Sequence, residues 1–234
     1  MTICRFADIT VGFENRHPYF PQFVKEYSVA SKEPELWISV TDEEITTEEK
    51  AAGEALKHPA LLEATALWRR FCHRLPELDA FLLHAACLAV DGCGIAFSAP
   101  SGVGKSTHIA HWCDILGQRC RVINGDKPIL RRGRDGDFLG YGTPFCGKED
   151  WQENSSVPLR TLCFLERGTE NRVTPMTSAE AFPLLFAAVP APESEGELAL
   201  LLPLLSDFLS HLALYRITCT ERPEAARLAI EALL

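Results

Sequence analysis

Residues 99–106 read A-P-S-G-V-G-K-S, with Thr107 next, and no other stretch constrains the fold of this chain as strongly. Gly102 and Gly104 permit backbone angles that a side chain would forbid, and they stand directly before Lys105, Ser106 and Thr107. Such a loop turns its backbone N–H groups inward around phosphates, between a strand that leads in and a helix that leads out. The flanks fit. Residues 94–98 (GIAFS) are an apolar strand-like run, and residues 108–116 read as a helix closed by Gly117. The first glycine of the general pattern G-x-x-x-x-G-K-[ST] is Ala99 here, which loosens the match at one place while the setting holds it.

Each position in the loop has a physical role. Ser101, Gly102, Val103, Gly104, Lys105, Ser106 and Thr107 are the candidate phosphate-binding residues. Lys105 would reach the β- and γ-phosphates of a nucleoside triphosphate, and the Ser106 hydroxyl would ligate Mg²⁺. The helix beginning near Lys105 would aim the positive end of its dipole at the same phosphates. A second metal ligand is needed, commonly an acid at the end of a neighbouring strand. Asp126 follows the strand-like run 121–124 and is the candidate, against the plainer reading of a turn aspartate before Lys127-Pro128.

Composition narrows the partners. Among 234 residues, 23 basic and 32 acidic side chains leave a formal charge of −9, which argues against a nucleic-acid backbone as partner. Nine cysteines at irregular spacing, with no C-x-x-C, suggest free thiols and a reducing, cytoplasmic setting. Cys87, Cys113, Cys120 and Cys163 fall among apolar neighbours, where thiols act as small hydrophobes. The first residues lack the apolar core of a signal peptide, and the most apolar run, 198–205, is short and carries Pro203, so no membrane span is expected. Nothing in the pattern demands an oligomer.

Around the loop the apolar periodicity predicts a mixed α/β fold. Residues 2–13 and 36–40 read as strands, with an unassigned aromatic connection between them, and residues 42–58 as a short helix or an exposed connection. Residues 59–75 suit a helix with Leu61, Thr65, Trp68, Cys72 and Leu75 on a stripe that packs on a sheet. Residues 81–90 read as one strand, joined to 94–98 through the tight turn Asp91-Gly92. Further strands are expected at 121–124, 129–131, 138–141, 159–165 and 214–219. Helices are expected at 179–188, 197–212 and 223–233, the first two kinked or split by Pro183 and Pro203. Hairpins beside a helical crossover imply a mixed rather than a purely parallel sheet.

The segment LLHAACLAVDGCGIAFSAPSGVGKST, followed by VINGDKPIL, resembles the HPr kinase/phosphorylase family and the related phosphoenolpyruvate carboxykinases over about residues 80–145. The guanine-reading N-K-x-D and the transporter L-S-G-G-Q motifs are absent. The resemblance is nearest to compact HPr-kinase-like proteins. It implies a mixed-sheet P-loop kinase core of the HPr kinase C-terminal type over residues 79–234, flanked by helices. A strand-and-helix extension over residues 1–78 would pack on that core. It also implies ATP as donor, Mg²⁺ as cofactor and a hydroxyl acceptor on a peptide, small protein or small molecule.

Carried over by position, the resemblance places His84 near the transferred phosphate and Asp126 at the metal, so that Asp126, His84 and Lys105 are the candidate catalytic residues. Family members often carry two adjacent acids at this strand end, and the first of those places is Gly125 here, so either Asp126 serves alone or His84 or Glu149 assists. An imidazole's ordinary pKa suits proton traffic near neutrality, although a lone His among apolar neighbours is also a common core residue. Downstream, G-Y-G-T-P-F-C-G-K-E-D bends sharply, with Lys148 and Glu149 as candidate contacts to phosphate or acceptor, or else forms a plain Gly/Pro turn. Three readings stand: a kinase of a peptide hydroxyl, a kinase of a small metabolite such as free serine, and a nucleotide-binding regulator without transfer.

Overall fold

A computed structural model describes residues 1–31, 33–52 and 58–234. It divides into two compact units, Met1–Leu75 and Pro76–Leu234. In the first, β1 (Thr2–Phe6) and β2 (Ile9–Phe13) pair antiparallel. The single strand expected over residues 2–13 is therefore a hairpin. Its turn uses Ala7 and Asp8 at φ 50° and 60°, left-handed angles without the glycine that would have announced them. The short α1 (Tyr19–Phe23) occupies the unassigned connection, and β3 (Leu36–Ile38) adds parallel to β2. Next come α2 (Asp42–Ala52) and α3 (Pro59–Arg74); the end of the expected 42–58 segment, residues 53–57, lies outside the described residues.

The stripe expected on α3 is shifted. Leu61 and Thr65 are only half-buried, while Ala60, Ala64, Leu67 and Phe71 are buried beside Trp68 and Cys72. The sheet's aromatic rings set this face, since Phe6 meets Trp68 and Phe71 at 5.2 and 5.7 Å and Phe13 meets Phe71 at 5.8 Å.

The second unit opens with β4 (Ala80–Leu82), β5 (Ala85–Val90), β6 (Cys93–Ser98) and α4 (Lys105–Leu116). It continues through β7 (Cys120–Asn124), β8 (Ile129–Arg132), β9 (Phe138–Tyr141), β10 (Ser156–Arg167) and β11 (Arg172–Pro175). It closes with α5 (Ser178–Ala187), α6 (Glu195–Ser210), β12 (Ala213–Cys219) and α7 (Pro223–Leu233). Pro183 and Pro203 lie inside unbroken helices, so neither splits its helix.

One mixed sheet runs β4-β8-β9-β10-β6-β5-β7, with β12 on the other side of β10 and β11 beyond it. β6, β10 and β12 run parallel, and every other pairing is antiparallel. Alternation along the strands separates two cores. Ala85, Cys87, Ala96, Leu162 and Phe164 face α5 and α6 through Leu185, Leu205 and Phe208. Ala86, Leu88, Phe97 and Cys163 face α4 and α7 through Ile109, Trp112, Ala226 and Ala229. Burying a side chain as large as Trp112 against Phe97, 5.2 Å away, stabilises by roughly 1.5–3 kcal/mol and fixes α4 against the sheet.

The strand expected over residues 81–90 is also split. Leu83 and His84 interrupt it, their N–H groups donating to Pro128 O at 3.1 Å and Ala188 O at 2.8 Å rather than to a neighbouring strand. Both donors are satisfied, so the break carries no hydrogen-bonding penalty.

Candidate active site

β6 runs straight into the glycine loop and α4 starts at Lys105, the strand–loop–helix order that the motif requires. Gly102 and Gly104 have φ of +80° and +106°, and a Cβ at either would meet nothing within 4 Å. Glycine is needed there for the backbone angle, and the loop faces open space. Gly104 is the N-cap of α4 and has no side chain with which to cap it, so the first-turn N–H groups are left for an anion. From the end of β10, Arg167 Nε donates to Val103 O at 3.3 Å and ties down the loop's outer bend.

Three candidate residues from three elements converge. Lys105 Nζ, on the first turn of α4, lies 3.0 Å from Asp126 Oδ1. His84 Nε2, in the break between β4 and β5, lies 3.2 Å from the same oxygen. His84 is anchored through its backbone: its N–H donates to Ala188 O, and its carbonyl accepts from the buried Ser98 hydroxyl at 3.0 Å. Half-burial alone would raise the Asp126 carboxyl, but hydrogen bonds and charge from His84 and Lys105 hold it well below the usual carboxylate range. Burial lowers the Lys105 ammonium, against the pull of Asp126 and, more weakly, of Glu149.

Asn124, invisible as a functional residue in the sequence, places Asp126. It is fully buried, and its Oδ1 accepts from the backbone N–H groups of Asp126 at 2.9 Å and Lys127 at 2.6 Å, an Asx turn at the end of β7. Its Nδ2 donates to Thr143 O at 2.9 Å, while Thr143 Oγ1 donates to Lys127 O at 2.7 Å. The Asp126 carbonyl accepts from Ala85 N–H at 2.9 Å, so both ends of the residue are fixed. The order Asn-Gly-Asp was the available signal, since an amide two residues before the acid can close this turn.

Residues 142–151 cover Gly125. Gly125 N–H donates to Trp151 O at 2.8 Å, and a Cβ at position 125 would lie 2.7 Å from Cys146 O. A second carboxylate has no room there while this loop is closed. Gly147 adopts φ +87°, and its Cβ position lies 3.3 Å from Asp126 Cβ and 3.5 Å from Glu149 Oε2. Glu149 therefore reaches the site's edge. Lys148 is exposed, as are Ser101, Gly102 and Thr107, while Val103, Gly104, Lys105 and Ser106 are half-buried.

Asp126 and Ser106 carry hard oxygen atoms of the kind that Mg²⁺ prefers and would suit it, and the open space at Gly102 and Gly104 would admit phosphate oxygens to complete the shell. Among the described residues no group of three or more His, Cys, Asp or Glu could hold a metal alone. A magnesium site shared with phosphates needs none. Among the described residues no helix is long and apolar enough to cross a membrane.

A family model described as ScmC, SynChlorMet cassette protein ScmC, matches residues 57–191. No curated protein matches the chain. Among solved structures, the chain is similar to the Hpr(Ser) kinase/phosphatase from Coxiella burnetii, with 12% identity and a TM-score of 0.36, over 65% of this chain and 92% of that one.

Proposed function

The chain belongs to the SynChlorMet cassette protein ScmC family, and from the geometry of its site we propose that it is an ATP-dependent kinase that moves the γ-phosphoryl group to a hydroxyl, on a serine of a peptide or small protein. The observation that carries this reading is the convergence of Lys105 and His84 on one oxygen of Asp126 beside an open glycine loop at a helix N-terminus.

The parts support phosphoryl transfer more than nucleotide storage. The loop's N–H groups and the start of α4 would hold the β- and γ-phosphates, with Lys105 shared between them and Asp126. Ser106 and Asp126 would hold Mg²⁺, which supplies charge neutralisation when bound. In the transfer, the acceptor oxygen forms a bond to the γ-phosphorus as the bond to the departing diphosphate breaks. The hydroxyl proton passes to the Asp126 carboxylate, which His84 Nε2 and Lys105 Nζ hold in place at Oδ1. A carboxylate kept so far on the ionised side is a weak base. Phosphoryl transfer depends mainly on position and charge, so a weak base suffices, and the missing acid at Gly125 does not argue against the chemistry.

The test is incubation with γ-labelled ATP, Mg²⁺ and serine-containing peptides. Label on a serine hydroxyl is expected, with a rate lower by roughly 10²–10³-fold in Asp126→Asn. Nucleotide affinity that survives Lys105→Ala unchanged would remove the loop assignment. Tight ATP binding with no label on any peptide would leave a kinase of a small molecule such as free serine, or, if free serine is not labelled either, a regulator.

A further inference from the structure

A cavity of about 400 Å³ lies against the β6 end of the site, between the C-terminal ends of β6 and β10 and the last turn of α5. Its walls include Phe164, Leu184, Ala187 and the His84 side of the transfer site, with Glu166 and Arg216 as its charged lining. Leu184 and Ala187 are solvent-exposed on α5, although α5 buries Ala181 and Leu185 into the core. The exposed pair borders this cavity. Open α/β sheets take their ligands at the carboxyl ends of parallel strands, which is where the cavity lies.

Two observations decide which ligand the cavity suits. It reaches the site through His84, on the side of Asp126 where the γ-phosphate and acceptor would meet. It touches the glycine loop only at Ala99 and Pro100, and none of the candidate phosphate-binding residues 101–107 lines it. That makes it an acceptor pocket rather than a nucleobase pocket. Its charges are already committed: Glu166 accepts from Arg216 Nη1 at 3.2 Å and from Thr218 Oγ1 at 2.7 Å. With Arg216 paired to Glu166 and Glu166 doubly held, the pocket offers little to the ammonium and carboxylate of a free amino acid. An uncharged apolar group fits it.

We propose that this cavity binds an aliphatic or aromatic side chain adjacent to the acceptor serine or threonine, so that the substrate is a peptide hydroxyl flanked by an apolar residue. The proposal rests on the kinase reading for its orientation, but it can be tested by binding alone.

Fluorescein-labelled hexapeptides with a central Ser-Leu or Ser-Phe, and matched Ser-Asp and Ser-Lys peptides, would be measured by anisotropy in the presence of Mg²⁺ and ADP. The apolar-flanked peptides are expected to bind roughly tenfold tighter. Ala187→Trp, which fills the pocket from an exposed position, should erase that preference while ADP affinity stays unchanged. Leu184→Asp should shift the preference toward the Ser-Lys peptide. Equal binding of all four peptides would overturn the proposal, as would an Ala187→Trp variant that loses ADP affinity in place of peptide selectivity. Selective binding without transfer of label would support the pocket and count against the kinase reading, so the two fail separately.

Discussion

The glycine loop at 99–106 and the covering loop at 142–151 both depend on glycine, for opposite reasons. Gly102 and Gly104 stand in open space and need only a left-handed backbone angle. Gly142 has no such angle, yet a Cβ there would fall 1.9 Å from Glu153 O and 2.8 Å from Ile123 O, and Gly125 beneath the same loop is closed off by Cys146 O. One loop is kept open for a ligand, and the other is packed shut against the strand that carries the acid. The first constraint is written in adjacent residues. The second exists only between residues distant in the chain.

Substitutions can break this contrast. Gly142→Ala should cost the most stability, about 3 kcal/mol, because rigid backbone meets the new methyl; urea unfolding measures it. Asn124→Ala should follow, at roughly 2 kcal/mol, by leaving two N–H groups without their acceptor, and it should also slow transfer because Asp126 loses its placement. Gly102→Ala should cost only about 1–2 kcal/mol for the left-handed angle, yet weaken ATP binding more than Gly142→Ala does, as titration calorimetry would show. Were Gly142→Ala to be as stable as the parent, the shut-loop half of the contrast would fail.

A pH-dependent effect tests the helix behind the open loop. Burial lowers His108 from 6.5 to about 4, and its Nε2 accepts from Trp112 Nε1 at 3.0 Å. Because the folded pKa is the lower one, the unfolded chain takes up this proton first as pH falls. The neutral ring's contribution is intact above the unfolded value of 6.5 and drains away toward pH 4. Between pH 7.5 and 4.5 the parent should lose about 2 kcal/mol from this group, a slope that His108→Gln should remove.

The parts of the site that follow one another in the chain were legible. The loop, its strand and helix, the Asp91-Gly92 turn and the β8–β9 hairpin each carry their constraint within a few residues. Asp126 and His84 could be named as candidates, but not the shared oxygen that joins them, because β5, β7 and α4 meet only in three dimensions. Thr143 and Arg167 act through long-range hydrogen bonds that leave no periodic pattern, and Asn124 joins its local Asx turn to one of them. The hairpin turn at Ala7-Asp8 and the break at Leu83-His84 leave no local mark either, since neither contains glycine or proline.

The β5–β6 ladder has a mechanical consequence. His84 leads into β5 and Ala99 leaves β6, and the register Ala85↔Ser98 sets them side by side at one end, with Val90↔Cys93 at the other. The imidazole and the glycine loop are thus two tines of one fork, whose gauge is the strand spacing of about 4.8 Å. Its handle is the turn at Asp91-Gly92, six residue pairs away from the tips. Inserting or deleting one residue in that handle would slip the ladder by one place and turn the His84 tine to the opposite face of the sheet. The glycine loop would keep its shape and lose its partner.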